Sequence, residues 1–177
     1  GRKASKSGCS RKKETATPGY YQVFLEDHNV NVELTTSTRT AYHKYTFKEG
    51  DKQAVVIDLG FAINWDKPLE TSLKVEDDYT ISGYRHSKGW ANNQKVFFVA
   101  KFSKPIIKHN LYSDGNKSDK DFVKGVKTST QLFFDILKNK ELLAKVALSS
   151  VSIENAKDNL VPSDLTFEDT KTKANNL

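Results

Sequence analysis

The sequence predicts a mainly β protein, an antiparallel β-sandwich of about nine or more short strands followed by one or two short C-terminal helices. Three observations predict it. Apolar residues alternate with polar ones, as in Val30-Asn-Val-Glu-Leu34, the period-2 pattern of a half-buried strand. Polar turn clusters such as Asp27-His-Asn29, Lys48-Glu-Gly-Asp51 and Asp77-Asp78 break the alternation at short intervals. Helical spacing enters only near the C-terminus, where Ile153, Ala156 and Leu160 fall on one helical face.

The elements follow in order. Residues 1–13 are rich in Lys, Arg and Ser and read as a flexible lead-in. The Pro18-Gly19 turn delivers Tyr20 and Tyr21 into an alternating strand ending near Leu25. Asp27-His-Asn29 turns that strand into a second one at 29–36, giving an antiparallel hairpin. Residues 38–47 are β-rich and aromatic, with Tyr42, Tyr45 and Phe47. Residues 53–63 place Val55, Ile57 and Leu59 on one face and Val56 on the other, which predicts a strand buried on both sides at its centre. Asp77-Asp78 separates strands near 70–76 and 79–86, and 94–103 has Val96, Phe98, Ala100 and Phe102 on one face and Phe97 and Val99 on the other. Residues 108–130 are polar and Gly-bearing, with weak strand signals, and the last clear strands are 131–136 and 142–149. Ser152 is placed to N-cap a short helix with Glu154 in its first turn. Pro162 interrupts, and Thr166-Phe-Glu-Asp169 has the form of a capping box opening a second helix toward Leu177. The organisation is therefore a lead-in at 1–13, a sandwich at 14–150 and a helical linker at 151–177.

Composition narrows the function classes. The 177 residues suffice for one domain with a real core, and 37% hydrophobic with 11% aromatic residues argues against disorder. No apolar run approaches the roughly 18 residues that span a bilayer. No signal peptide is present and the chain neither begins with Met nor contains one, so it reads as a processed or excised piece. Cys9 has no second cysteine to pair with and reads as an exposed, incidental thiol. The net charge of +6 raises the question of nucleic acid. The lysines are spread along the chain, however. The two short clusters, Arg11-Lys-Lys13 and 117–127, read as solvated loops and faces, so no nucleic-acid partner is expected.

Few residues carry chemistry. Asp77 and Asp78 are adjacent on a strand and point to opposite faces, which suits a turn. Asp58, between Ile57 and Leu59, reads as a partly buried, hydrogen-bonded acid, and Glu33 as solvated. His28, His43, His86 and His109 show no metal-ligand spacing. His43 shares a strand face with Ala41 and Tyr45 and reads as a packed histidine. There is no nucleophile elbow and no phosphate loop. The densest functional mixture is 84–94, where Arg85, His86, Trp90 and Gln94 are the candidates for contact with a sugar or with a neighbouring domain. Aromatic faces stack on sugar C–H surfaces, and Arg and Gln read hydroxyls. Trp65, in Asn64-Trp-Asp-Lys-Pro68, reads as a packing anchor. No catalytic residue, metal ligand or cofactor site is expected within this chain.

Several ordered blocks carry a family resemblance: Ala16-Thr-Pro-Gly-Tyr-Tyr21, Val32-Glu-Leu-Thr-Thr36 with Arg39, His43-Lys-Tyr-Thr-Phe47, Ile57-Asp-Leu59, Ile81-Ser-Gly-Tyr-Arg85 running into Gly89-Trp-Ala91 and Gln94, Phe97-Phe98, Phe102-Ser-Lys-Pro105, and Ser149-Ser-Val-Ser-Ile-Glu154 with Ala156 and Asn159-Leu160. From about Glu14 to Leu177 the chain resembles the N-terminal domain of glycoside hydrolase family 92, the calcium-dependent exo-α-mannosidases. The resemblance implies a β-sandwich packed on an (α/α)6-barrel catalytic domain of the same protein. It implies removal of terminal α-mannose, usually α-1,2-linked, from glycans with inversion. It implies that the catalytic carboxylates and most of the calcium site belong to the barrel, and that the protein is an exported bacterial one, periplasmic or at the cell surface. On this reading the present chain is non-catalytic, braces the barrel and forms part of the active-site cleft. The alternative is a free-standing carbohydrate-binding module centred on Trp90 or Trp65. The chain departs from the family pattern in two places. Family members usually have a substantial segment before the Pro-Gly-Tyr-Tyr block, with a tryptophan near the sugar site. They also often show a Ser-His-like pair where this chain has Ser10-Arg11.

Overall fold

The computed structural model describes residues 8–48, 54–136, 140–160 and 166–175. Most of the lead-in, the turn expected after Lys48 and the break at Pro162 lie outside the described residues. Thirteen strands are β1 (Cys9–Thr17), β2 (Tyr20–Leu25), β3 (Val30–Thr36), β4 (Thr40–Phe47), β5 (Ala54–Asp58), β6 (Lys67–Asp77), β7 (Thr80–Lys88), β8 (Gln94–Phe102), β9 (Ile106–Ser113), β10 (Asn116–Ser118), β11 (Phe122–Gly125), β12 (Thr128–Phe134) and β13 (Glu141–Ser149). Two helices follow, α1 (Ile153–Leu160) and α2 (Phe167–Asn175). Neither is long and apolar enough to cross a membrane.

The strands form two antiparallel sheets. The larger runs β1-β2-β3-β4-β13-β8-β7-β6-β11 and the smaller β10-β9-β12-β5. Leu73, Ile81, Phe98, Phe102 and Val123 from the larger sheet share one core with Leu111, Leu132 and Phe134 from the smaller. Phe102 and Phe134 meet across the layers with ring centroids 4.9 Å apart. Burying a side chain of this size contributes about 1.5–3 kcal/mol, so the interlayer contact is the main source of stability. Among the buried polar atoms of the layer, the Thr130 hydroxyl has no hydrogen-bond partner, whereas Thr71 and Thr128 are paired. The buried Thr71 hydroxyl accepts from the Thr128 amide and from its hydroxyl, both at 2.9 Å, and so ties β6 to β12.

Cys9–Lys13, assigned to the lead-in from composition, belong to β1, whose register against β2 shifts between Cys9 and Glu14. Strands β10 and β11, most of β9 and the start of β12 lie in the stretch with weak strand signals. Their exposed residues include Lys108, Asn116, Lys117 and Lys124, so a half-exposed strand looks like a loop. β5 is an edge strand with Val56 53% exposed, which corrects the expectation of burial on both sides.

The helices pack on the opposite face of the larger sheet. The Ser152 hydroxyl accepts from the Asn155 amide at 3.0 Å, the predicted N-cap. Thr166 and Asp169 form the predicted capping box, each side chain accepting from the other's amide at 3.1 and 3.0 Å. Phe167 of α2 is buried with Tyr20 and Tyr42, and Ala156 of α1 is fully buried. The residues expected to form a linker therefore fold back onto the sandwich. Gly19 makes this possible. Its φ of 75° is in the left-handed region, and a Cβ there would lie 2.5 Å from that of Ala174 in α2.

Candidate functional site

The β7–β8 turn and the β5–β6 loop meet at one end of the sandwich. The loop begins at Asp58, whose carboxylate accepts from the Gly60 amide at 2.9 Å. Asp58 is thus exposed and caps a turn, which corrects its reading as a partly buried strand acid. Further on, Asn64 has a φ of 57°, a conformation Asn tolerates better than most residues. The Asp66 amide donates to the Ile63 carbonyl at 3.2 Å. This tight turn swings Trp65 outward.

Arg85 fixes the loop from β7. Its Nε donates to the Leu59 carbonyl at 3.0 Å and its Nη2 to the Phe61 carbonyl at 3.3 Å. Nη2 also pairs with the Asp66 carboxylate at 2.5 Å. That hydrogen bond holds the Asp66 carboxyl below the usual carboxylate range against the opposing effect of desolvation. The result is a tryptophan pair. Trp65 and Trp90 have ring centroids 6.3 Å apart and planes inclined by 36°, yet they are 60% and 92% exposed. Trp65 is therefore displayed on the surface, which corrects its reading as a packing anchor. Phe61 and Ile63 in the same loop are also exposed.

Beside this tip lies an open cleft of about 530 Å³, lined mainly by Val55, Val56, Val96, Phe98, Ala144 and Val146, with Arg85, His43 and Asp58 as polar groups. The His43 Nδ1 and the Tyr45 hydroxyl are 2.9 Å apart. Burial lowers the His43 pKa from its ordinary value and pushes the Tyr45 hydroxyl up to about 12. His43 is the packed histidine the sequence suggested.

The four predicted contact residues divide by strand parity. Arg85 lines the cleft. Gln94, at the exposed start of β8, shares the parity of Val96 and Phe98. Trp90 lies in the turn beside Trp65. His86 alternates to the opposite face with Tyr84, whose hydroxyl donates to Glu70; Glu70 in turn pairs with Lys124 at 3.0 Å. The structure thus brings Arg85 and Trp90 to one site, with Gln94 on the same face, and sends His86 away. Sequence reasoning missed Asp66 and the display of Trp65. The Asn64-Trp-Asp turn was the available signal, but its partner on β7 is 19 residues distant. Among the described residues, no three His, Cys, Asp or Glu side chains converge as a cation site.

Comparison with known proteins places this geometry. The family profile described as the glycosyl hydrolase family 92 N-terminal domain matches residues 1–149. The chain belongs to glycoside hydrolase family 92. Among solved structures, the family 92 α-mannosidase BT3965 from Bacteroides thetaiotaomicron is 29% identical with a TM-score of 0.90; the match covers 96% of this chain and 24% of that one. The family 92 glycosyl hydrolase ccman5 is 26% identical, with a TM-score of 0.83 over 95% of this chain and 24% of that one. The inverting family 92 mannosidase BT2199 from Bacteroides thetaiotaomicron VPI-5482 shares the fold at 24% identity and a TM-score of 0.82, covering 96% and 23%. No curated protein sequence gives a significant match. The family 92 domain spans about a quarter of the length of the solved relatives it matches. Its similarity is to the N-terminal domain of that family.

Proposed function

We propose that this domain braces the catalytic part of a family 92 α-mannosidase and forms part of the wall of its active-site cleft. The observation that carries the reading is the concentration of exposed apolar groups at one end. Phe61, Ile63, Trp65 and Trp90 form the tip, and Val56, Val96 and Leu148 line the adjoining cleft. Apolar surface of this extent marks an interaction site on a folded domain, and Trp is enriched at the centres of such sites.

The parent enzyme, on this reading, removes terminal α-1,2-linked mannose from glycans with inversion. That chemistry needs one carboxylic acid at the leaving oxygen and a second carboxylate activating water from the opposite face, roughly 6.5–9.5 Å apart. In this domain the apolar cleft is lined by a single carboxylate, Asp58, so both catalytic groups are assigned to a barrel domain elsewhere in the protein, together with the calcium ion. Export to the periplasm or cell surface belongs to the same reading. The domain's own residues position and shield: Arg85 holds the loop, and the tryptophan pair excludes water where the domains meet.

A carbohydrate-binding reading draws on the same pair, because an exposed indole face is a platform for sugar C–H groups. One experiment separates the two. The full-length enzyme and its Trp65→Ala/Trp90→Ala variant are assayed for mannose release from α-1,2-mannobiose, and the 177-residue chain is titrated with the same sugar and assayed with calcium and with chelator. The docking reading requires a less active variant, and an isolated chain that neither hydrolyses nor binds. Hydrolysis by the isolated chain sinks the division of labour. Saturable sugar binding abolished in the variant favours the module.

A further inference from the structure

The outer face of the smaller sheet carries a polar and aromatic tract that the docking of domains does not use. Leu111, Leu132 and Phe134 point into the core, so by alternation Asn110 and Tyr112 of β9 and Gln131 and Phe133 of β12 point outward. All four are half-buried, and α1 and α2 pack on the larger sheet instead. The two amides form a cross-strand pair. Asn110 Nδ2 donates to Gln131 Oε1 at 3.2 Å, and the Tyr112 hydroxyl donates to the same oxygen at 3.4 Å. This leaves the Gln131 Nε2 donor beside the Asn110 Oδ1 acceptor, with no other partner among the described residues. Phe133 stands beyond them, with the Lys108 ammonium 5.9 Å from its ring centroid. At the other end, Ser129 pairs with Tyr112 on one side and Asp58 on the other. There the tract meets a hollow of about 680 Å³, lined by Asp58, Asp114, Lys127 and the buried Ser129. The turns around the hollow are fixed. Asp114, with a φ of 48°, accepts from the Val126 and Lys127 amides at 3.2 and 2.8 Å, and Asp58 accepts from the Gly60 amide.

We propose that the hollow and the tract together bind a neutral oligosaccharide, at a site separate from the tryptophan pair. Charge decides the ligand class. Two carboxylates line the hollow against one ammonium, which disfavours an anion. Each carboxylate already accepts a backbone amide, and among the described residues no third acid, His or Cys joins them, which disfavours a metal ion. A neutral ligand rich in hydroxyls fits the groups present. Its hydroxyls donate to the carboxylates and to Asn110 Oδ1, and accept from Gln131 Nε2 and from Lys127. A donor beside an acceptor suits neighbouring sugar hydroxyls, because each hydroxyl both donates and accepts. The Tyr112 and Phe133 rings offer apolar surface to the sugar C–H groups. From Ser129, opposite Tyr112, to Phe133 is about 14 Å along β12, longer than a disaccharide, so only an extended chain of sugars reaches both rings. The choice of mannose as the sugar rests on reading the parent enzyme as an α-mannosidase.

The test is an amide-resolved NMR titration of the 177-residue chain with α-1,2-linked mannotetraose, with α-1,2-mannobiose and calcium chloride in separate samples. The tetrasaccharide is expected to give saturable shifts at Tyr112, Ser129, Gln131 and Phe133. The disaccharide engages one end only and is expected to give none. Tyr112→Ala should weaken tetrasaccharide binding about tenfold. Tyr112→Phe, which keeps the ring, and Trp65→Ala/Trp90→Ala should bind as the parent chain does. Unaltered resonances at Leu111 and Leu132 show that Tyr112→Ala remains folded. Three results overturn the inference: no saturable shift, shifts confined to the β5–β6 loop and β7–β8 turn and lost with the tryptophans, or the same shifts from calcium alone. Mannose release by the full-length enzyme is read alongside. Release without binding at Ser129 and Gln131 removes the site but leaves the α-mannosidase reading; binding there without release does the reverse.

Discussion

Arg85 binds Asp66 across the gap between β7 and the β5–β6 loop, at 2.5 Å, and the same guanidinium holds the carbonyls of Leu59 and Phe61. One residue thus fixes the loop that carries three exposed apolar side chains, Phe61, Ile63 and Trp65. Replacing Arg85 by Lys keeps the charge but removes the planar fork that serves three acceptors at once. Arg85→Lys is expected to cost roughly 1–2 kcal/mol in urea unfolding, on the scale of charge-assisted hydrogen bonds. It should also alter near-ultraviolet circular dichroism from the Trp65–Trp90 pair. An unchanged aromatic signal would show that the loop holds its shape without Arg85.

The same pair has an acid limit. Asp66 is held below the usual carboxylate range in the folded state, so the unfolded chain binds its proton first as pH falls. The stability it contributes is complete above the unfolded carboxylate value and is lost as pH drops through the lowered one. Asp66→Asn is expected to flatten the decline in melting temperature below about pH 4. An identical acid profile in the variant would assign that decline to other carboxylates.

The α2 helix is attached by a few contacts, which makes it separable. Phe167 is buried between Tyr20 and Tyr42, the Tyr20 hydroxyl donates to Glu33 at 2.7 Å, and Lys171 lies over the Tyr20 ring at 3.7 Å. Phe167→Ala should cost about 3 kcal/mol at this site, and Gly19→Ala should have the same effect by forcing a Cβ into Ala174. Either change is expected to speed amide exchange throughout α2 and leave β12 and β13 slow. Global loss of protection would mean that the helix is an integral part of the sandwich.

His43 supplies a pH dependence near neutrality. Burial lowers its folded pKa from 6.5, so the unfolded histidine binds a proton at a pH where the folded one does not. Its contribution is full above the unfolded value and is lost as pH falls through it. The groups facing it are the Tyr45 hydroxyl and, across the cleft, Asp58 and Arg85. Urea midpoints at about pH 7.5 and about pH 5.5 should differ in the parent chain and converge in His43→Gln. A difference that persists in the variant would show that His43 is not its source.

What the sequence disclosed depended on how local the physics was. The Ser152 cap and the Thr166–Asp169 box span three residues each, and both were readable because donor and acceptor sit within one turn. The Pro18-Gly19 turn was equally visible. Arg85 could be singled out by type, but its partners lie 19 to 26 residues away, and no local pattern encodes them. His86 shows the limit of adjacency. It adjoins Arg85 in sequence, yet strand alternation puts it on the other face. Asp58 was misjudged because where β5 ends depends on the Gly60 turn, not on the alternation before it.

Trp90 offers the sharpest contrast between folding and function. At 92% exposure it has almost no surface to lose on unfolding, so Trp90→Ala in the 177-residue chain should change stability by less than about 0.5 kcal/mol. In the full-length enzyme the same truncation should weaken the contact between domains by about 2 kcal/mol or more, the scale of a central interface tryptophan. Differential scanning calorimetry of both proteins measures the two effects together. A large loss confined to the longer protein identifies Trp90 as an anchor for the adjoining domain. Equal and negligible losses would leave Trp90 free in both, and with the sugar titration positive they would give the tryptophan pair to the ligand instead.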